Sequence, residues 1–286
     1  MGRLISKKSA RALKTLALVF VAVVLAAAVF YWKAKGGGME YPEPIVTPRP
    51  VPMPPAPSPV VIAPPSLPMF VIVIDDMGTK LSEIKEIISF GIPVTVAVMP
   101  FEKYSAEVAR LANEKGLEVI LHMPMEPKDA AAHSPGSNAV LTTMTDKEVR
   151  AMVKRSIEAV PHVSGLNNHM GSKFTEDGPK MTAALTEVRD KGLFFLDSLT
   201  SSESKGMAVS RELSIKAAER SVFLDNSLDK EYIKGQFLKA IKIAKKHGSV
   251  IVIGHPHKET LEVIKEMAHV IREEGLEPSR VSDVAR

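Results

Sequence analysis

Five apolar runs in this chain end in side chains that bind metal ions or move protons. They are Val71-Ile72-Val73-Ile74-Asp75-Asp76, Val119-Ile120-Leu121-His122, Leu166-Asn167-Asn168-His169, Phe194-Phe195-Leu196-Asp197 and Ile251-Val252-Ile253-Gly254-His255. Runs of this length read as buried strands, and parallel strands of α/β proteins present their carboxyl ends on one face, where sites form. Residues far apart in sequence can therefore meet in one pocket.

Asp75 and Asp76 are adjacent carboxylates, so both stay ionised near neutral pH only beside a cation. Side chains alternate along a strand, so both reach one site only if the strand bends at its end, a bend Gly78 permits. The alternative has one Asp in the site and the other capping the next helix. His122 follows the three apolar residues Val119-Ile120-Leu121 and shortly precedes Pro124; by itself such a histidine is more often a satisfied core residue than a ligand. Glu126 would share its face only in a helix, which Pro124 opposes.

His169 lies in Asn167-Asn168-His169-Met170-Gly171-Ser172, either an Asx-type turn or a ligand-bearing strand end. An Asp/His/His set suits zinc and leaves a position open for water. Asp197 and Asp225, each ending a Phe-Leu-Asp run, could orient a histidine, bind substrate hydroxyls or cap a helix, and capping is the simplest role for each alone. Of the two histidines flanking Pro256, His255 is nearer the strand end and is the one assigned to the site. His133, His162, His247 and His269 carry no assigned function.

Between these endings lie helical periods: Leu81, Ile84, Ile87 and Ile88; Val108, Leu111 and Ala112; Met181, Ala184, Leu185 and Val188; Ile233, Phe237, Ile241 and Ala244; Leu261, Ile264, Ala268 and Ile271. Thr145 with Glu148 makes a capping box ahead of another helix. Strands are expected near 70–75, 94–98, 118–122, 163–167, 193–197, 221–225, 249–254 and, shortly, 280–282. The alternation predicts an α/β fold, an irregular (β/α) barrel of seven or eight parallel strands, with a doubly wound open sheet as the alternative. No Gly-rich phosphate loop follows the first strand, which argues against nucleotide binding.

The first 68 residues have a different composition. Thr15 to Trp32 is an uncharged run of about 18 residues, enough to span a bilayer. Arg3, Lys7, Lys8, Arg11 and Lys14 precede it, against Lys33 and Lys35 after it, a bias that predicts a cytoplasmic N-terminus and an exported remainder; the length of the run and its Val29-Phe30-Tyr31-Trp32 end favour an uncleaved anchor. A signal peptide cleaved near Ala26-Ala27-Ala28 is the competing reading. Three segments are thus expected: a basic N-terminus and transmembrane anchor at 1–35, a Gly/Pro-rich linker at 36–68, and a folded domain at 69–286.

The formal net charge of +4 over 286 residues comes from the first segment, which holds seven of the 37 Lys and Arg and none of the 33 Asp and Glu. The remainder is slightly acidic, with no basic patch or aromatic-basic motif, so nucleic acid is not an expected partner. The absence of cysteine excludes a lipidated cysteine, thiolate metal ligands and a cysteine nucleophile.

Taken together and in order, Val73-Ile74-Asp75-Asp76-Met77-Gly78, Leu121-His122-Met123-Pro124-Met125-Glu126-Pro127, Asn167-Asn168-His169-Met170-Gly171-Ser172, Phe195-Leu196-Asp197-Ser198, Phe223-Leu224-Asp225-Asn226 and Ile253-Gly254-His255-Pro256 resemble the divergent polysaccharide deacetylase family, with Val281-Ser282 resembling its closing strand. The resemblance implies an irregular β/α barrel, Asp75 as general base, and Asp76 and His122 as metal ligands. Better-known deacetylases of this type carry a second histidine four residues after the first, where this chain has Glu126. Either Glu126 ligates the metal or His169 supplies the imidazole; ligand chemistry favours His169.

The resemblance further implies zinc-assisted hydrolysis of an acetylated cell-envelope glycan, peptidoglycan or exopolysaccharide. His255 would be the proton donor, oriented by Asp197 or Asp225, and Asn168 would contact substrate or orient other groups. A catalytically inactive protein of the same fold, binding glycan or an envelope partner, is the alternative. A glycosidase using Asp75 with Asp197 or Asp225 ranks below both.

Overall fold

A computed structural model describes residues 7–36 and 67–286, with side chains of the first stretch from residue 18 on. The chain divides into one unit up to Ile62 and another from Ala63 to Arg286. In the first, α1 (Lys7–Ala34) contains the uncharged run, and Leu18, Phe20, Phe30 and Trp32 are exposed on it. Among the described residues no helix is long and apolar enough to cross a membrane. The basic residue Arg3 and nearly all of the expected linker lie outside the described residues.

The second unit runs β1 (Met69–Met77), α2 (Leu81–Ile88), β2 (Thr95–Val98), α3 (Ser105–Glu114), β3 (Glu118–Met125), α4 (Asp146–Ala159), β4 (Gly165–Met170) and α5 (Gly178–Asp190). It continues with β5 (Phe194–Asp197), α6 (Gly206–Glu212), β6 (Ala217–Glu219), β7 (Val222–Phe223), α7 (Lys230–His247), β8 (Ser249–Gly254), α8 (Lys258–Glu273), β9 (Glu277–Ser279) and α9 (Val281–Val284). The expected capping box forms at α4, where Thr145 and Glu148 satisfy each other's backbone N–H groups.

The strands lie in the order β6-β5-β4-β3-β2-β1-β8-β7, and β9 also pairs with β1. Every pairing is parallel. The two ends of this order, β6 and β7, are consecutive in the chain: Arg220 N–H donates to Asp197 O of β5 and Ser221 N–H to Ile251 O of β8. The sheet therefore curls, with its two end strands joined through Arg220-Ser221 and not paired to each other, a half-barrel that fits the irregular barrel the sequence predicts. The strand expected at 221–225 is the short β7, and β6 at Ala217–Glu219 is a further strand that the sequence pattern does not mark.

Two cores follow from alternation along the strands. Phe70, Ile72 and Ile74 of β1 face outward and pack with helix residues such as Ile84, Ile241 and Ile264. Val71 and Val73 face inward with Ala97, Ile120, Leu196, Ile251 and Ile253, and Val281, Val284 and Ala285 close that interior from below. The closing strand expected at 280–282 is instead the start of α9, a correction with a physical reason. Val281 and Val284, three apart, cover the barrel floor from one face of a helical turn, which a strand at those positions would not do.

Candidate metal centre

β1, β3, β4 and β8 deliver Asp75-Asp76, His122, His169 and, just past β8, His255 to the open end of the barrel interior. On β1 the register runs Ile74 opposite Val96 and then Met77 opposite Val98, so one extra residue is accommodated at Asp75-Asp76. This bulge puts both carboxylates on the same side. The bend expected at Gly78 lies already at Asp76, whose φ is 57°. Gly78 instead permits a close approach: its φ is 128°, and an added Cβ would stand 3.1 Å from Ser105 Oγ.

Asp76 Oδ1, His122 Nε2 and His169 Nδ1 converge. Oδ1 lies 3.1 Å from His122 Nε2 and 2.8 Å from His169 Nδ1, and the two nitrogens are 3.1 Å apart. His122 Nδ1 donates to Asn167 Oδ1 at 2.8 Å, which leaves Nε2 as a bare lone pair facing Asp76. Asp76 Oδ1 is itself buried and without a well-formed hydrogen bond. With both rings neutral, the three acceptor atoms share at most the one proton His169 could offer. One carboxylate oxygen and two imidazole nitrogens at this spacing suit a divalent cation, and Asp76, His122 and His169 are the residues that could hold it.

Burial would lower the His122 pKa, but the Asp75 and Asp76 charges outweigh burial and raise it, so a cation would compete with a proton at this triangle. Burial alone would raise the Asp76 carboxyl, but its interactions with His122 and His169 outweigh it and hold it far below the usual carboxylate range. For Asp75 burial wins over the pull of His122, His255 and Asn167, and its pKa is raised. A cation held by its neighbours would oppose that rise.

Asn167 organises this corner and went unassigned from sequence, although it shares a strand face with His169 two residues on. Its amide nitrogen donates to Asp75 Oδ1 at 2.9 Å and to Ser198 Oγ at 3.1 Å, while its carbonyl holds His122. Asp75 Oδ2 is left free, 3.7 Å from His122 Nε2. Asn168 also lines the cavity; it accepts from Ser198 N–H and donates to the Met170 carbonyl, so it pins the loops after β4 and β5 together.

Across the cavity stands His255. Its Nδ1 lies 3.0 Å from Asp225 Oδ1, and Asp225 Oδ2 accepts from the His255 N–H at 2.7 Å and from Thr260 Oγ1 at 2.9 Å. Burial would lower the imidazole pKa, but the Asp225 hydrogen bond and charge, with Asp75 and Asp76 behind them, push it up to about 9. Arg220, also unassigned from sequence, lies 3.8 Å over the Phe223 ring and donates to the Ser198 and Leu199 carbonyls. Phe223 in turn stacks on His255, their ring centroids 6.2 Å apart. Asp75, Asp76, His122, His169, Phe223 and His255 line one cavity of about 290 Å³. A larger one of about 370 Å³ opens among Ser164, Leu193, Lys216 and Ser282, near the strands' starting ends, with none of these groups.

Two expected site residues lie elsewhere. Asp197 accepts from Leu199 N–H at 2.9 Å and from Ser204 Oγ at 2.7 Å, so it braces the loop after β5 and does not orient His255. Glu126 accepts from Thr142 N–H and Oγ1 at 2.6 and 2.7 Å and pairs with Lys173 at 2.7 Å. It ties together the segments after β3 and β4 and takes no part in the ligand triangle. Lys173 and Thr142 offset its burial and hold its carboxyl below the usual range.

The fold and this site define a parallel α/β barrel with an Asp-His-His cluster at its open end. The chain belongs to the divergent polysaccharide deacetylase family, whose model matches residues 72–285. It is 33% identical over 198 residues to the uncharacterised protein YibQ of Escherichia coli, covering 69% of this chain and 61% of that protein. It is 36% identical over 194 residues to an uncharacterised Haemophilus influenzae protein, covering 68% and 69%. The match thus spans less than two thirds of the E. coli relative. A crystal structure of an uncharacterised Agrobacterium tumefaciens protein shares the fold, with a TM-score of 0.73 at 21% identity over 77% of this chain and 89% of that one.

Proposed function

We propose that this domain is a metal-dependent hydrolase that removes acetyl groups from a cell-envelope polysaccharide. The observation that carries the reading is the lone-pair triangle of Asp76, His122 and His169, beside a free Asp75 oxygen and facing a histidine held by Asp225. On the softness of its ligands the metal is zinc, which when bound acidifies water and polarises an acyl oxygen.

The protein's own groups supply the proton transfers. Asp75, fixed through Oδ1 by Asn167, presents Oδ2 to take a proton from the attacking water. His255 is protonated at neutral pH because Asp225 holds Nδ1–H and raises the imidazole pKa to about 9. Its Nε2 proton can pass to the departing amine or alcohol. The acceptor-rich cavity suits a sugar's acetyl group rather than a large apolar ligand, and family membership points to an acetylated glycan, peptidoglycan or an exopolysaccharide.

We further propose that the uncharged run at 15–32, whose side chains are described only from residue 18 on, anchors the domain to the membrane, on its non-cytoplasmic side. The support is a helical, uncharged run with exposed Leu18, Phe20, Phe30 and Trp32, preceded by basic residues.

Acetate release from acetylated glycan by the zinc-loaded protein tests the hydrolase reading. The expected result is turnover that disappears with bound zinc in His122→Ala and in His169→Ala. Glycan binding without acetate release, across several divalent metals, would instead identify a non-catalytic binder.

A further inference from the structure

Beside the proposed centre lies a second group of ligand atoms that the hydrolytic reading does not use as such. One ligand atom each from Asp225, His255 and His257 falls within 4.8 Å of the others. The His255 and His257 ring centroids are 6.0 Å apart at 46°. His257 occupies the N-cap of α8, yet its side chain makes no capping hydrogen bond there and is exposed to solvent. The His255 side chain is 30% exposed, so a cation can reach the cluster from water.

We propose that Asp225, His255 and His257 form a second, weaker divalent-cation site whose occupation by zinc shuts off the proton donor. The inhibitory half of this proposal rests on the hydrolase reading; the site itself does not.

Chemistry supports both the site and its weakness. One carboxylate and two imidazoles are the same donor set as in the Asp76-His122-His169 triangle, and zinc accepts it readily. That first triangle has its atoms already gathered at 2.8 to 3.1 Å and is largely buried. The second is looser, includes an exposed ring, and holds a proton between His255 Nδ1 and Asp225 Oδ1, 3.0 Å apart. A cation bridging those two atoms must displace that proton to solvent, so binding competes with it. Once displaced, His255 would be a neutral metal ligand whose remaining Nε2–H could leave only by forming an imidazolate, a far weaker acid toward a leaving group than the imidazolium. The centre would run with its first equivalent of zinc and stall with its second.

Equilibrium dialysis of the full chain against zinc, with metal counted per chain, tests the site without any substrate. Two equivalents should bind, one tightly and one weakly, and His257→Asn should retain only the tight one. Asn is a good N-cap, so α8 keeps its start. Saturation of the wild type at one equivalent, or of His257→Asn at two, overturns the site. Acetate release at rising zinc tests the consequence: the wild type should rise and then fall, whereas His257→Asn should rise to the same rate and stay there. A rate that climbs with the second equivalent would overturn the inhibitory role. If two equivalents bind but no acetate is ever released, the second site stands and the hydrolase reading fails.

Discussion

The tripeptide Phe-Leu-Asp ends two strands of this barrel and does two different jobs. In β5, Phe195 packs outward against the helices and Leu196 fills the barrel interior. Asp197, next in alternation, turns outward and braces a loop. After β7 the phase is reversed: Phe223 lies against the interior and Leu224 against the helices. Asp225 therefore turns inward and holds His255. A one-residue difference in register sends the same side chain to opposite faces. Chemical identity at a strand end thus says little until the phase of the strand is known.

Substituting each aspartate separates these jobs. Asp225→Asn should lower acetate release by about 100-fold, the usual scale for losing a placed proton donor, while zinc in the Asp76-His122-His169 centre stays at wild-type occupancy. Asp197→Ala should leave the rate per folded molecule unchanged and instead cost about 1–3 kcal/mol in denaturant unfolding, because two donors lose their acceptor. The opposite pattern, lost activity at Asp197 and lost stability alone at Asp225, would overturn the contrast.

A smaller effect distinguishes the two by pH in the chelated, metal-free protein. His255 has its pKa raised to about 9 from 6.5, so its stabilisation is fully present below 6.5 and fades as pH rises through about 9. The melting temperature should fall by about 2–4 °C across that window, and His255→Gln should flatten the decline. Asp197, also raised, by burial against the opposing Ser204 and Leu199 hydrogen bonds, favours the fold most when protonated. Its replacement should alter the acidic limb and leave the alkaline one alone. An alkaline limb that moves with Asp197 would break the assignment.

Most of the architecture was legible in the sequence because alternation of buried strands with 3.6-period helices leaves few parallel topologies. What misled was local. Val281-Ser282 reads as a strand but belongs to α9, since a four-residue helix has too few turns to show a period. The stretch at 221–225 reads as one late strand because no sequence pattern marks where β6 leaves β5 and β7 joins β8. Within the site, Asp75, Asp76, His122, His169 and His255 were visible as polar breaks in apolar runs. Asn167 and Arg220 were not, since each acts through hydrogen bonds whose partners come from other strands and loops. Glu126 was visible but ambiguous, and its partners Thr142 and Lys173 decide its role.

By itself the sequence determined which side chains stand at strand ends, the absence of thiol chemistry, and the family, since each follows from residue order along a single chain. Tertiary structure alone decided which of those side chains meet. A bulge at Asp75-Asp76 brings two carboxylates to one face, and neighbouring β3 and β4 bring two imidazoles to them. Strand phase then turns Asp225 toward His255 and Asp197 toward its own loop, because facing is set by where each strand sits in the curled sheet and not by the residue it carries.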